Sequence, residues 1–246
     1  MSARRSDLVA LVIPMLDEAV ALPRLIRVLA ALDPLPAEII AVDGGSRDDS
    51  VALATDAGWR VLETARGRSV QINAGVAAVG APVVCVLHAD TIPPDDAVAV
   101  IEREMADGRT ALAGFTPLLT GPDGVRWGTS AHNWIKTWYA PLLLRPHLFA
   151  RGVRLLFGDH AMFFRRADFL AVGGCDERTL VMEEADLCIK LAARGRVRLI
   201  GRTVETSDRR VAAWGPVKAN WVYFKCGMMW AFGARERLGR HYPDVR

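Results

Sequence analysis

Three apolar runs in the N-terminal part of the chain each stop at a carboxylate. Residues 8–13 lead into Pro14-Met15-Leu16-Asp17-Glu18, residues 38–42 into Asp43-Gly44-Gly45-Ser46, and the run from Val83 into His88-Ala89-Asp90. A run without polar alternation reads as a strand buried on both faces, and a sheet of such strands needs helices on both sides. Open α/β sheets gather their ligand chemistry at the carboxyl ends of the strands, so the three acidic ends predict one functional rim, with Asp90 its leading residue.

The segments between these runs have helical character. Leu22, Leu25, Ile26, Leu29 and Leu32 recur at helical spacing after Asp17 or Glu18 and stop before Pro34. Helices are predicted over 48–57 (stopped by Gly58), 68–79 and 95–107, with a short strand at 59–62. Beyond Gly108 the pattern loosens. Strands are expected at 111–116, 161–165 and 197–200, and helices at 127–139 and 183–194, with an irregular stretch over 141–156. The alternation predicts an α/β fold with a mostly parallel central sheet flanked by helices and right-handed crossovers.

No linker or composition break divides the 246 residues, so one domain is expected, with halves at 7–116 and 117–205 and a C-terminal helical extension at 206–246. The net charge of +3 comes from scattered basic residues, which argues against a nucleic-acid binder and leaves anionic small ligands open. Cys85, Cys175, Cys188 and Cys226 lack C-x-x-C spacing and predict buried thiols in a reducing, cytoplasmic compartment. The polar start of the chain carries no export signal, and the apolar stretch 211–234 is interrupted by Lys218, Asn220 and Lys225, so no spanning helix is expected.

In order and spacing, the motifs resemble those of family 2 glycosyltransferases with the GT-A (Rossmann-like, nucleotide-diphospho-sugar transferase) fold. Residues 12–18 match the opening motif, Val42-Asp43-Gly44-Gly45-Ser46 the nucleotide loop, and His88-Ala89-Asp90 the D-x-D position. The stretch from Arg68 through Asn73-Ala74-Gly75, then Gly158-Asp159-His160, Gly173-Gly174-Cys175-Asp176 and residues 182–187, follow in family order. The wording is closest to a small bacterial branch whose acceptors are mostly undefined. The resemblance implies an inverting, metal-dependent transfer of a hexose from a UDP- or GDP-sugar to a hydroxyl on a small or lipid-linked acceptor. It places Pro14, Glu18, Asp43, Arg66, Arg68, His88 and Asp90 at the donor, with Asp90 on Mg²⁺ or Mn²⁺. Glu184 stands at the catalytic base position, with Asp159 and Glu183 toward the acceptor.

Plainer readings stand beside these. Glu183, Glu184 and Asp186 at a helix start complement the helix dipole, Asp17 and Glu18 are helix-entry residues, and Asp43-Gly44-Gly45 is a turn. His88, where the family has its first aspartate, either contacts ribose or pyrophosphate or fills space. Asp159 and His160 border the acceptor cleft or form a structural turn. Trp127, Trp134, Trp138 and Tyr139 fit core packing or sugar stacking. Residues 214–233 fit an interfacial membrane helix, and equally a face packed on the domain or on a second subunit of a homodimer. Two other functions compete: a nucleotide-sugar-binding protein without turnover, and a nucleotidyltransferase, for which residues 14–18 are not the Gly-rich loop required.

Overall fold

The computed structural model describes residues 4–179 and 181–232. Four parallel strands form its first half: β1 (Val9–Met15), β2 (Glu38–Asp43), β3 (Arg60–Glu63) and β4 (Val83–Val86), in the order β3-β2-β1-β4. Helices α1 (Leu22–Ala30), α2 (Ser50–Asp56) and α3 (Arg68–Ala78) connect them. The second half adds β5 (Thr91–Ile92), α4 (Ala97–Ala106), β6 (Thr110–Gly121), β7 (Gly124–Val125), α5 (Trp127–Leu144), α6 (Pro146–Ala150), β8 (Phe163–Arg165) and α7 (Arg166–Ala171). It ends in α8 (Glu183–Leu191), β9 (Arg196–Ser207), α9 (Arg209–Trp214) and α10 (Pro216–Ala231). The sheet continues β4-β8-β6-β9-β5, with β8 antiparallel to both neighbours and β6 parallel to β9.

Period-two alternation in β1 divides the core between the two sheet faces. Leu11, Ile13 and Met15 join Leu25 and Leu29 of α1 and Ile101 of α4, while Ala10 and Val12 join Ile72 and Val76 of α3, Leu187 of α8 and Trp230 of α10. Each fully buried large side chain contributes about 1.5–3 kcal/mol. Helix α3 crosses β1 so closely that a Cβ at Gly75 would collide with Val12, which explains a glycine in mid-helix. The four cysteines are free and buried.

Several boundaries differ from the sequence expectation. Helix α1 starts at Leu22, because Asp17 takes a positive φ of 53° and residues 17–21 form a turn. Strand β4 ends at Val86, so His88 and Asp90 stand in the turn that follows it. The stretch over 141–156 contains the end of α5 and all of α6. Strand β9 runs twelve residues because it pairs along β6, although its outward positions Arg196, Arg198 and Arg202 hide any apolar run. Of the expected C-terminal extension, residues 233–246 lie outside the described residues. Among the described residues, no helix is long and apolar enough to cross a membrane.

Candidate active site

The loops after β1 and β2 are tied into one shelf. Asp43, buried at the end of β2, accepts from the backbone N–H groups of Gly45 (2.8 Å) and Ser46 (3.0 Å) and from the Ser46 hydroxyl. Ser46 Oγ in turn accepts from Asp17 N (2.9 Å), and Ser50 Oγ from Glu18 N (2.7 Å). Gln71 of α3 donates to the carbonyls of Met15 (2.8 Å) and Val42 (2.7 Å), pinning both strand ends. Asp43 therefore shapes its own loop, the turn role and the motif position coinciding in one residue. Pro14 is half-buried at the end of β1, and Arg66 is exposed just before α3.

Across the rim, Arg209 at the start of α9 joins two of the predicted carboxylates. Its guanidinium pairs with both oxygens of Glu18 (3.1 and 3.2 Å) and with Asp90 Oδ2 (2.7 Å). Charge-assisted contacts of this kind are among the stronger hydrogen bonds. Sequence reading missed Arg209, because no local motif marks a residue whose partners lie in the first and fourth strand loops.

Glu184, at the start of α8, lies deeper. Its Oε1 is 3.7 Å from His88 Nε2 and 3.6 Å from Arg68 Nη1, and neither Glu184 Oε1 nor His88 Nε2 has a hydrogen-bond partner within the protein. A buried polar atom left unmade costs about 1–3 kcal/mol, so both atoms point to a ligand. Burial and the Arg68 charge lower the His88 pKa to about 4, against the opposing pull of Glu184, Asp90 and Asp159. His88 is thus a neutral ring near pH 7. The turn Gly158–His160 passes so close that a Cβ at Gly158 would strike the His88 ring and Glu184 Oε1.

Glu183, expected toward the acceptor, is buried beside Glu184. Its side chain has no exposure, stands 3.4 Å from Arg68 and does not line the adjoining cavity. Burial, then the neighbouring Glu184 charge, raises its pKa, against the opposing Arg68. The αL conformation of Met182 (φ 73°) turns the chain so that Glu184 faces the cavity and Glu183 the interior. Holding a non-glycine residue there costs roughly 1–3 kcal/mol, a strain common at functional sites.

A cavity of about 460 Å³ opens from this centre between α5 and α10. His88, Asp90, Glu184, Arg68, Asp159 and Arg209 line its polar part. Asp159 accepts from Asn133 and lies 2.9 Å from His160 Nδ1. Burial alone would raise the Asp159 carboxyl, but His160, Lys136 and Asn133 together hold it well below the usual range. Lys136, its own pKa lowered by burial against the pull of Asp159, sits 3.9 Å above the Phe157 ring. His132 is held at both nitrogens, by Asn220 and Tyr139, at 2.9 Å each. These contacts on α5 had no motif to announce them.

The carboxylates of the site offer a divalent cation an open position and no closed cage. Among the described residues, no three His, Cys, Asp or Glu side chains converge to form a closed metal cage. Mg²⁺ is ordinarily held by one or two carboxylates together with substrate phosphates, and Asp90, which lines the cavity while its Oδ2 pairs with Arg209 at 2.7 Å, fits that incomplete, substrate-completed type.

A mixed, mostly parallel sheet flanked by helices, with tied loops at its carboxyl edge and a buried carboxylate facing a cavity, is the architecture of GT-A glycosyltransferases. The model of "Glycosyl transferase family 2" matches residues 10–170, and the chain belongs to that family. Glucosyl-3-phosphoglycerate synthase from Mycobacterium tuberculosis, solved with Mn²⁺, UDP and phosphoglyceric acid, is similar at TM-score 0.66 and 18% identity, over 92% of this chain and 78% of that one. The same enzyme with Mg²⁺ and UDP gives 0.63. S. aureus TarS 1–349 with UDP-GlcNAc gives 0.62 at 12% identity, over 82% of this chain and 59% of that one. No curated protein sequence matches the chain significantly.

Proposed function

We propose that the protein transfers a hexose from a UDP- or GDP-sugar to an acceptor hydroxyl with inversion, Glu184 taking the hydroxyl proton. The observation that carries this is the unpartnered, buried Glu184 Oε1 facing a cavity that it shares with Asp90. In a single displacement the acceptor oxygen attacks the anomeric carbon, the bond to the nucleoside diphosphate breaks, and the proton passes to a carboxylate in reach of that oxygen. Glu18, Arg66, Arg68, Pro14 and the Asp43 loop flank the donor. Arg68 opens α3, where backbone N–H groups add to its attraction for phosphate.

Asp90 would hold Mg²⁺ or Mn²⁺, which supplies positive charge against the departing diphosphate, with His88 at the donor beside it in sequence. That the similar structures were solved with Mn²⁺ or Mg²⁺ and UDP supports this reading. Asp159, with Asn133 and Lys136, would orient the acceptor hydroxyl. Four free thiols fit a cytoplasmic location, where thiols stay reduced.

Calorimetric titration of UDP, GDP and their hexose conjugates, with Mn²⁺ and with EDTA, tests the donor. Metal-dependent binding of one nucleotide is expected; no binding of any would overturn the proposal.

A further inference from the structure

Apart from Leu8, Val20 and Leu170, every exposed large apolar side chain among the described residues lies on α5, on α10 or at Phe232. On α5, Trp134, Trp138 and Leu142 recur every four residues, with Ile135 beside them and Trp127 two turns earlier, and form one outward stripe without a charge. On α10, Val217, Trp221 and Phe224 do the same beside exposed Lys218 and Lys225. The two stripes meet at the cavity mouth, where Leu143, Phe224 and Phe232 are both exposed and cavity-lining. A patch this apolar marks an interaction site.

The charge pattern of these segments identifies what covers it. The chain holds 28 Asp and Glu, yet none falls within 124–158 or 209–232, the segments that build α5, α6, α9 and α10. Their charged residues are all cationic, among them Arg145, Arg151, Lys218 and Lys225. Tryptophan belongs at a membrane interface, and Lys or Arg near lipid phosphates adds about 1 kcal/mol each. A second copy docked symmetrically would set cation against cation.

We infer that α5 and α10 rest on an anionic membrane surface and that the acceptor is a lipid, its apolar chain entering at Leu143, Phe224 and Phe232 and its hydroxyl-bearing head reaching Glu184. The acceptor half of this inference rests on the glycosyltransferase reading of the site; the membrane half does not.

Sedimentation with phosphatidylcholine vesicles, with and without phosphatidylglycerol, tests the surface. Binding that needs phosphatidylglycerol is expected, weakened about tenfold by Lys218→Glu with Lys225→Glu and by Trp134→Ser with Trp138→Ser and Trp221→Ser. These side chains lie outside the cavity lining, so donor titrations should be unchanged. No vesicle binding, binding that survives both variants, or a dimer lost in the tryptophan variant instead would overturn the membrane assignment.

For the lipid chain the probe is decyl glucoside below its micelle concentration against methyl glucoside. Gly227→Leu fills the cavity from α10, where an added Cβ meets nothing within 4 Å. Binding of the decyl compound alone, lost in Gly227→Leu, is expected; equal binding of both glucosides would overturn the tail assignment. Failure of every donor nucleotide with vesicle binding intact would sink the glycosyltransferase reading and leave the membrane face standing.

Discussion

Glu183 and Glu184 are sequence neighbours with opposite environments, and their variants should separate accordingly. Glu184→Gln keeps donor binding and lowers kcat about 10²–10⁴-fold, the usual contribution of a general base. Glu183→Gln mimics a carboxyl that already holds its proton and should retain most activity. Single-turnover kinetics on both distinguishes them, and normal turnover by Glu184→Gln removes it as the base. Glu183 also predicts a pH effect on stability. Its folded pKa is raised from 4.5 to about 8, so the folded state binds more protons across that interval. Stability should then fall as pH rises from 4.5 through about 8, and Glu183→Gln should flatten that decline in thermal melts. At this scale motifs pointed to Glu184, Asp90 and His88, and the structure brings all three to the lining of one cavity. That Glu183 faces the interior while Glu184 lines the cavity was not legible, because the αL turn at Met182 is written in no residue type that demands it.

Two glycines show how elements are held at contact distance. Gly75→Ala would drive α3 off β1 and should cost about 1–3 kcal/mol in denaturant unfolding, as overpacking does. Gly158→Ala presses instead on His88 and Glu184 and should depress transfer far more than it lowers the melting temperature. The strands β1, β2 and β4 were legible because their interiors are unbroken apolar runs, Glu38 and Asp43 standing only at the ends of β2. Strand β9 was only partly legible, since its exposed arginines leave no run and its length is set by pairing with β6. The antiparallel insertion of β8 between β4 and β6 has no local signature, as it depends on which strands become neighbours.

At the scale of the molecule, the sheet and its acidic rim followed from patterning, while the cavity and its apolar mouth depend on how α5 and α10 dock. Asp90→Asn should weaken metal-dependent donor binding at least about tenfold, with the sheet intact, because one charge-assisted ligand is lost. Titration of Mn²⁺ in the presence of nucleotide measures it. The rim is also closed across a long stretch of chain, since Arg209 meets a glutamate 191 positions before it. During synthesis the tied loops after β1 and β2 emerge first, and the cation that bridges Glu18 to Asp90 emerges after every strand of the sheet. A growing chain therefore has the loops after β1, β2 and β4 long before it has a finished rim, and Glu18 and Asp90 share no cation until Arg209 arrives to join them.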